Sequence, residues 1–282
     1  MKKALVILLT GAIMAMSVAC GGTNTSNTAS APKEEAAQEE KKEEETVASE
    51  VVEEAADPEM IVPEEPMNYE DYAAAAVDAE VVIKGAVQAK QAYNGEKGVA
   101  SVYLQDETGG AYFLYELPCT EKEYELLEVG KFIKVKGYKT MWPEVDGEVE
   151  VIDAIWQFED GEYIAEPEDV TALLGTEELV NKQNKKVAFK GVKVEPIKDK
   201  DGNEAAFLYN YDGSGAEGDD LYFNVSVNGQ TYSFTVESYL CGPDTDIYKA
   251  VKDFHIGDVI DLEGFLYWYE GPNPHITAVL AQ

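Results

Sequence analysis

Apolar and polar residues alternate in short runs through residues 67–282, with the period of two that is typical of β-strands buried on one face. Turn signals separate the runs, among them Gly109-Gly110 and Asp146-Gly147, and Asp-Gly is a strong hairpin signal. The pattern predicts ten strands, at residues 80–89, 100–105, 111–117, 132–139 and 148–155, and then at 187–194, 221–227, 232–237, 259–267 and 276–280.

The two groups of strands share sequence landmarks in the same order. Residues 82–87 and 187–192 are apolar runs interrupted by Lys-Gly, and residues 129–138 match residues 256–265 in pattern. Between these landmarks each group contains a cysteine followed by a helix-like segment, Cys119 before residues 120–127 and Cys241 before residues 246–251. Landmarks repeated in this way indicate two copies of one structural unit.

Each copy has five predicted strands with one helix between the third and the fourth, which is the element order of the OB-fold, a small Greek-key barrel. Gly85 and Gly191 are predicted to bend the long first strand, because glycine permits a bulge without a Cβ clash. We predict an all-β protein with short helices, made of two tandem OB-fold-like five-stranded barrels over residues 67–165 and 166–282. A helix is expected between them, over residues 168–182.

A family resemblance rests on residues 103–112, Tyr-Leu-Gln-Asp-Glu-Thr-Gly-Gly-Ala-Tyr, followed by Gly130 and Val135-Lys136-Gly137. This stretch resembles the OB-fold-like modules of secreted nucleases and surface lipoproteins of Gram-positive bacteria. Residues 67–282 as a whole are similar to tandem OB-fold lipoproteins of clostridia-like organisms. The resemblance implies accessory modules, and no nuclease domain accompanies them in this chain.

The N-terminal residues differ in composition from the rest of the chain. A positively charged start, an apolar run over residues 4–18 and small residues before Cys20 predict a lipoprotein signal peptide, residues 1–19, and a lipid on Cys20. A plain secretory signal cut near Ala19, or an uncleaved anchor, is the alternative. Residues 20–66 are acidic and lack aromatic residues, so we predict a disordered tether. The expected location is extracytoplasmic, with the chain anchored to the cell membrane by its N-terminal lipid.

The charge balance narrows the expected partners. Residues 67–282 contain 17 lysines against 41 Asp and Glu residues, a net charge of −24, and the whole chain has no arginine. Such a surface repels a phosphate polymer and lacks the bidentate guanidinium that binds phosphate and guanine. We therefore expect nucleic acid to be an unlikely partner. A basic envelope protein would be attracted.

Catalytic groups are scarce in the sequence. His255 and His275 are the only histidines, and neither lies in a metal-ligand spacing such as His-Glu-x-x-His. Ser214 lies between two glycines but lacks the spacing of a nucleophile elbow. The sequence therefore predicts that the protein is not an enzyme and has no cofactor or metal.

The cysteines and one acidic loop leave alternatives open. Cys119 and Cys241 occupy equivalent positions in the two copies, so a disulfide would require the barrels to pack with those faces together, and two separate buried thiols are preferred. Residues 212–220 contain several carboxylates, which are ligands that Ca²⁺ prefers. A solvated acidic turn is the preferred interpretation of that loop.

Strand aromatic residues are the candidate ligand-binding groups, because OB-folds bind on the face of strands two and three and on the adjoining loops. Aromatic faces beside carboxylates and amides suit carbohydrates, whereas packing in a core or a domain interface is the alternative role. We predict a surface module that binds a carbohydrate or a protein partner, or else a scaffold of an envelope transporter or enzyme that binds no small molecule. The candidates are Tyr103, Tyr112, Trp142, Tyr222, Tyr232, Tyr267 and Trp268.

Overall fold

The computed structural model of the protein describes residues 61–280, and its elements follow the predicted order. Barrel 1 contains α1 (Tyr69–Ala74), β1 (Glu80–Lys90), β2 (Val99–Gln105), β3 (Ala111–Pro118), α2 (Glu121–Leu126), β4 (Lys131–Trp142) and β5 (Glu148–Glu162). The predicted signal peptide of residues 1–19, the predicted lipidation site Cys20 and residues 20–60 of the predicted tether lie outside the described residues. Within the described part, the helices are too short or too polar to span a bilayer.

Barrel 2 begins after a short connection and contains two 3₁₀ turns as well as strands and one α-helix. Its elements are β6 (Glu168–Asp169), the 3₁₀ turns Thr171–Leu173 and Leu179–Lys182, β7 (Lys186–Glu195), β8 (Ile197–Lys198), β9 (Glu204–Ala205), β10 (Leu208–Tyr209), β11 (Leu221–Val227), β12 (Gln230–Val236), α3 (Asp246–Lys252), β13 (Val259–Phe265) and β14 (His275–Leu280).

Both barrels close with the same strand order. In barrel 1 the order is β1-β2-β3-β5-β4, and in barrel 2 the corresponding order β7-β11-β12-β14-β13 is closed by pairing of β11 with β7. The third and fifth strands pair in parallel in each barrel, at Phe113 opposite Glu150 and at Thr235 opposite His275. The prediction of two tandem OB-fold-like five-stranded barrels is confirmed.

Each barrel has a hydrophobic core of its own, built from the inward-facing residues of its strands. In barrel 1 this core includes Ile83, Leu104, Tyr112 and Trp156, and in barrel 2 it includes Phe189, Phe223, Phe234, Tyr248 and Trp268. Cys119 lies in the first core and Cys241 in the second, and both thiols are free and buried. The two separate thiols agree with the preferred interpretation of the sequence.

The helix between the third and fourth strands of barrel 1 begins where its sequence places a capping box. The Thr120 side chain accepts a hydrogen bond from the Glu123 backbone N–H at 3.2 Å, and the Glu123 carboxylate accepts one from the Thr120 backbone N–H at 2.7 Å. These two bonds satisfy backbone donors that the first turn leaves unpaired. In barrel 2, Thr245 caps α3 in the equivalent place.

The predicted bends of the first strands are only partly confirmed. Gly191 has a φ of +61° and lies where the pairing of β7 with β13 shifts register, as a bulge requires. In β1 the register shift lies between Val87 and Ala89 instead of at Gly85. Gly85 lies at a close strand contact, because a Cβ there would come within 3.0 Å of the Leu104 Cβ.

Three further local expectations differ from the structure. The helix expected over residues 168–182 is replaced by β6 and two 3₁₀ turns, because Glu168 and Asp169 pair with β7 and Gly175 has a φ of +81° that ends the first turn. Helix α1 was not predicted. The end of the predicted tether packs on barrel 1, where Val62 is fully buried and its N–H donates to the Gln157 side chain at 2.9 Å.

We expect Gly264→Ala to destabilise the protein by about 2 kcal/mol or more, because a Cβ at this position would lie 2.2 Å from the His275 carbonyl oxygen. Gly242→Ala is the matched control, since the nearest atom to its added Cβ is 3.6 Å away. The measurement is the free energy of unfolding in urea. Equal values for the two variants would contradict the close strand crossing in barrel 2.

Candidate ligand-binding cleft

Barrel 1 and barrel 2 pack together through a third, smaller cluster of buried aromatic side chains. Tyr103 and Phe113, paired across β2 and β3, point out of barrel 1 and contact Phe265 of barrel 2. The Tyr103 and Phe265 rings are stacked with centroids 4.3 Å apart, and Tyr103 lies 4.6 Å from Phe113. Barrel 2 therefore covers part of the β2–β3 face of barrel 1, which is the face on which OB-folds bind ligands.

Hydrogen bonds around the turn between β4 and β5 hold the same interface. Trp268 lies in the core of barrel 2, but its backbone N–H donates to the Glu148 carboxylate at 2.7 Å and its indole N–H donates to Asp146 at 2.8 Å. The Gln183 and Asn184 side chains donate to backbone carbonyls of the same turn region, each at 3.0 Å. The hairpin predicted at Asp146-Gly147 thus becomes a docking element for the second barrel.

Beside this interface lies a cleft whose walls come from both barrels. We call it the inter-barrel cleft and define it by seven residues. Two adjoining cavities of about 300 and 330 Å³ form it and share Tyr115 and Tyr267, and volumes of this order are typical of small-molecule sites. The seven residues are Tyr115, Trp142 and Glu150 of barrel 1 and Tyr222, Glu237, Tyr267 and Tyr269 of barrel 2.

Three aromatic side chains of the cleft are open to solvent. Trp142 is 57% exposed, and Tyr115 and Tyr269 are each 44% exposed. The rings of Trp142 and Tyr269 lie 5.4 Å apart across the two barrels. Large aromatic surfaces grouped in a concave site are available for contact with a ligand.

The seven aromatic candidates from the sequence have three different locations. Trp142, Tyr222 and Tyr267 line the inter-barrel cleft, and their role in binding stays a prediction. Tyr103, Tyr112 and Trp268 are 0%, 1% and 8% exposed, so they are packed away from any ligand and have the alternative, core or interface, role. Tyr232 is half-buried elsewhere on barrel 2, where its hydroxyl donates to Gln230 at 2.8 Å.

Sequence analysis missed four cleft residues, and strand alternation could have found two of them. In the run Tyr267-Trp268-Tyr269 the middle residue points into the core, so the first and third point outward. Tyr115 follows the outward-pointing Phe113 by two residues in the same way. Glu150 and Glu237 carried no signal, because an acidic residue facing outward on a strand is ordinarily a solvated one.

Three carboxylates are buried at or beside the cleft. Glu148, Glu150 and Glu237 are 0%, 5% and 8% exposed. In the described part of the chain, none of these carboxylates forms an ion pair with a lysine. Glu237 accepts hydrogen bonds from the Gln91 side chain at 3.1 Å and from the Tyr239 N–H at 3.0 Å. One oxygen of Glu148 has no hydrogen-bond partner.

Burial disfavours the charged form of these acids. It raises the pKa of Glu150 to about 7 and the pKa of Glu237 to about 7, and it holds the pKa of Glu148 well above its usual range. At neutral pH the inter-barrel cleft therefore holds carboxyl groups that are poised between the protonated and the charged form.

His275 connects the interface to the inner end of the cleft. Its ring stacks on Tyr267 with centroids 4.3 Å apart, and Nδ1 lies 3.1 Å from the Tyr103 hydroxyl oxygen. Burial lowers the pKa of His275 to about 3, so the ring is neutral at physiological pH. His275 thus has a structural role at the interface, whereas His255 is exposed beside its turn.

The acidic loop of residues 212–220 directs carboxylate oxygens at its own backbone. Asp212 accepts the Ser214 N–H at 2.9 Å, and Asp219 accepts the Ala216 N–H at 2.9 Å. Over residues 61–280, no group of three or more His, Cys, Asp or Glu side chains is arranged to hold a metal ion.

No family model and no curated protein matches the chain. The solved structures that are similar to it include the following two. A replication protein A heterotrimer bound to single-stranded DNA is 13% identical over 71% of this chain and 48% of that chain, with a TM-score of 0.29. The tetrameric p202 HIN2 is 9% identical over 73% of this chain and 96% of that chain, with a TM-score of 0.30. This chain thus spans about half the length of the replication protein A chain.

The expectation that nucleic acid is an unlikely partner is corrected by this comparison, since one of the similar structures is bound to single-stranded DNA. The expectation about nucleic acid was derived from net charge and from the absence of arginine, and neither excludes binding at one face of the protein. A sum over residues 67–282 does not describe the potential at any one face, and aromatic stacking on bases needs no arginine.

The class that the strand order defines is a tandem OB-fold protein.

We expect the free energy of unfolding to fall as pH rises from 5 to 8. Carboxyls with a raised folded-state pKa keep protons that the unfolded chain has already lost, so the folded state loses stability through this window. For Glu150 the shift from 4.5 to about 7 corresponds to about 3 kcal/mol. His275 acts in the opposite direction, because the unfolded chain gives up its imidazole proton near pH 6.5 while the folded state has none to lose; this offsets about 2 kcal/mol, less than the raised carboxyl groups contribute together. Carboxylates with lowered pKa act below pH 5 and leave this comparison unaffected.

The variant that isolates this effect is Glu150→Gln, which should lose about 3 kcal/mol less stability between pH 5 and pH 8 than the wild type. Glu107→Gln removes the same charge from an exposed position and is the control. Urea unfolding at the two pH values gives the comparison. A Glu150→Gln profile parallel to the wild-type profile would show that Glu150 is not buried as described.

Proposed function

We propose that this chain is a non-catalytic binding protein whose ligand lies in the inter-barrel cleft. The observation that carries the proposal is the group of exposed aromatic side chains, contributed by both barrels, beside the β2–β3 face of barrel 1. The carbohydrate predicted from the sequence is one ligand that such a group suits, because ring faces stack on apolar sugar faces.

The position of the cleft supports this proposal. OB-folds bind on strands two and three and on the loops that join strands one and two and strands four and five. Trp142 ends β4 beside the second of these loops. A further cavity of about 650 Å³ runs from Tyr115 along the first loop, residues 91–97, to Tyr239. The two regions share Tyr115, so an extended ligand would contact both.

The chemistry of the cleft favours binding over catalysis. Its histidine, His275, is buried, neutral and engaged with Tyr103, so it is poorly placed to accept a proton from a substrate. Cys241, whose thiol pKa burial raises to about 12, lies in the core of barrel 2 and is unsuited to nucleophilic attack. The remaining cleft residues present ring faces and carboxylates, which are recognition groups.

We further propose that the protein works outside the cell membrane, anchored by a lipid on Cys20. This part rests on the signal-like residues 1–19 and on the polar composition of the segment that follows. A tethered module with an open cleft would meet ligands in the extracytoplasmic space.

We expect Trp142→Ala and Tyr269→Ala each to weaken ligand binding about five- to tenfold, because each removes one stacking face of the cleft. The probes are neutral oligosaccharides, a single-stranded oligothymidylate and short basic and acidic peptides. Binding of each probe is measured by isothermal titration calorimetry and, in proteins that retain Trp142, by the indole signal of this residue. Tyr211→Ala, at a side chain that is 75% exposed outside the cleft, should leave affinity unchanged. Absence of binding by every probe, or binding indifferent to both cleft variants, would rule the proposal out.

We expect metabolic labelling with a palmitate analogue to label the wild-type protein and to place it in the membrane fraction. Cys20→Ser removes the thiol that would carry the lipid, so this variant should lose both the label and the membrane location. Cys119→Ser controls for labelling of another cysteine. A wild-type protein without label would exclude the lipid anchor and leave the cleft proposal untouched.

A further inference from the structure

We infer that the ligand of the inter-barrel cleft presents a positively charged ammonium group, which pairs with the Glu150 carboxylate between the rings of Tyr115, Trp142 and Tyr267. This inference rests on the proposed function, because it specifies the ligand chemistry of the same cleft. All four side chains line one cavity of about 330 Å³.

Glu150 is the first reason for a cationic ligand. Its neighbours Val149 and Val151 pack into the core of barrel 1, so Glu150 points outward, opposite Phe113 on β3 and Thr140 on β4. The side chain is 5% exposed and lines the cavity. Within residues 61–280 its carboxylate has neither a hydrogen-bond donor nor an ion-pair partner. A buried acid of this kind is costly until a partner arrives.

The lysines of the adjacent strand β4 are already engaged elsewhere. Lys134 lies 3.6 Å from Glu159, and Lys136 lies 2.7 Å from Glu64. Lys139 donates to three backbone carbonyls near α1, at distances from 2.8 to 3.0 Å. Residues 61–280 therefore supply no cation to Glu150, and a cationic ligand would give its carboxylate a partner of opposite charge.

Within residues 61–280, the titratable groups coupled electrostatically to Glu150 are acidic or neutral. Glu148 lies two residues away on β5. The others are tyrosine hydroxyls from α1, β2, β3 and the segment after β13, namely Tyr72, Tyr103, Tyr115 and Tyr267. Glu237, which follows β12 in barrel 2, adds a further carboxyl group to the cleft. Burial, followed by the carboxylates, raises the pKa of Tyr267, so its ring is neutral. An anionic ligand group would meet only like charge in this cavity.

The aromatic walls provide the second reason. An ammonium group over the face of Trp or Tyr is attracted to the ring quadrupole, and the attraction increases where water is excluded. Tyr115, Trp142 and Tyr267 line the same cavity as Glu150. Ring faces around a carboxylate form a site for an alkylated or primary ammonium group, whether it belongs to a small molecule or to a lysine side chain.

The test uses two matched pairs of probes at pH 8 and 150 mM NaCl on the full mature chain. The first pair is choline and its neutral isostere 3,3-dimethylbutan-1-ol. The second is the blocked tripeptide Gly-Lys-Gly and the same peptide with an acetylated lysine side chain. Affinities are measured by isothermal titration calorimetry for every variant, and the Trp142 indole resonance reports contact with the cleft wherever Trp142 is present. We expect the charged member of at least one pair to bind about tenfold or more tightly than its neutral partner, and the pair that responds identifies the source of the ammonium group.

Two isosteric variants separate the cleft from the general acidity of the surface. Glu150→Gln should weaken binding of the charged probe about 10- to 100-fold and leave the neutral probe unchanged. Glu107→Gln, which removes the same charge from an exposed site, should bind as the wild type does. Lowering the pH from 8 to 6 should weaken the charged probe in the wild type but not in Glu150→Gln.

The outcomes distinguish this inference from the proposed function. Neutral probes that bind as well as charged ones, with loss of affinity in Trp142→Ala, would overturn the ammonium group and retain the binding cleft. A preference for charge that Glu150→Gln and Glu107→Gln reduce equally would also overturn it, because the attraction would then belong to the whole surface. Failure of every probe, here and in the broader panel, would overturn both.

Discussion

The contact of Phe265 with Tyr103 and Phe113 is the interaction on which the inter-barrel cleft and its buried carboxylates depend. It covers part of the β2–β3 face of barrel 1 with the side of barrel 2. Burial of one such aromatic side chain stabilises a protein by about 1.5–3 kcal/mol. The hydrogen bonds that Trp268 donates to Asp146 and Glu148 fix the orientation of the two barrels at this apolar contact. Without the contact, the two barrels would remain intact but no cleft would exist between them.

The same docking explains the unusual electrostatics of the molecule. Each buried carboxyl group meets a residue of the other barrel. Glu148 accepts a hydrogen bond from Trp268, and Glu237 accepts one from Gln91. Glu150 lines a cavity together with Tyr267. Bringing the barrels together removes water from these acids without bringing a lysine to them. Their charged forms are therefore disfavoured in the free protein, and a ligand that carries a compensating charge would relieve this desolvation.

Much of the fold could be predicted from the sequence because strand alternation and turn residues act locally. Alternation placed most strands within a few residues of their observed bounds, and the helix-like segment predicted over residues 120–127 is α2. The bulge in β1 could not be placed, since it depends on how β2 and β4 approach that strand. Val62 was assigned to the tether because its place in the structure also depends on a distant part of the sequence. Its N–H donates to the side chain of Gln157, 95 residues later in the chain.

The candidate site was only partly predictable, because alternation assigns a side chain to a face but does not reveal what covers that face. Tyr103 does point outward, as a ligand-binding residue should, but barrel 2 covers it. Trp142 remained exposed because it lies at the end of its strand, beyond the contact. The nucleic-acid expectation failed on the same ground, since net charge carries no information on which surfaces are open.

The central claim, that the barrels are docked into one body, is tested most directly by residual dipolar couplings of backbone amides in the two barrels. Couplings from the strands of barrel 1 and from those of barrel 2 are fitted separately for the orientation and magnitude of alignment. The account predicts that both sets fit one alignment tensor, with the relative orientation seen here. Two tensors that differ in magnitude or direction would show that the barrels move independently, and would contradict a preformed cleft.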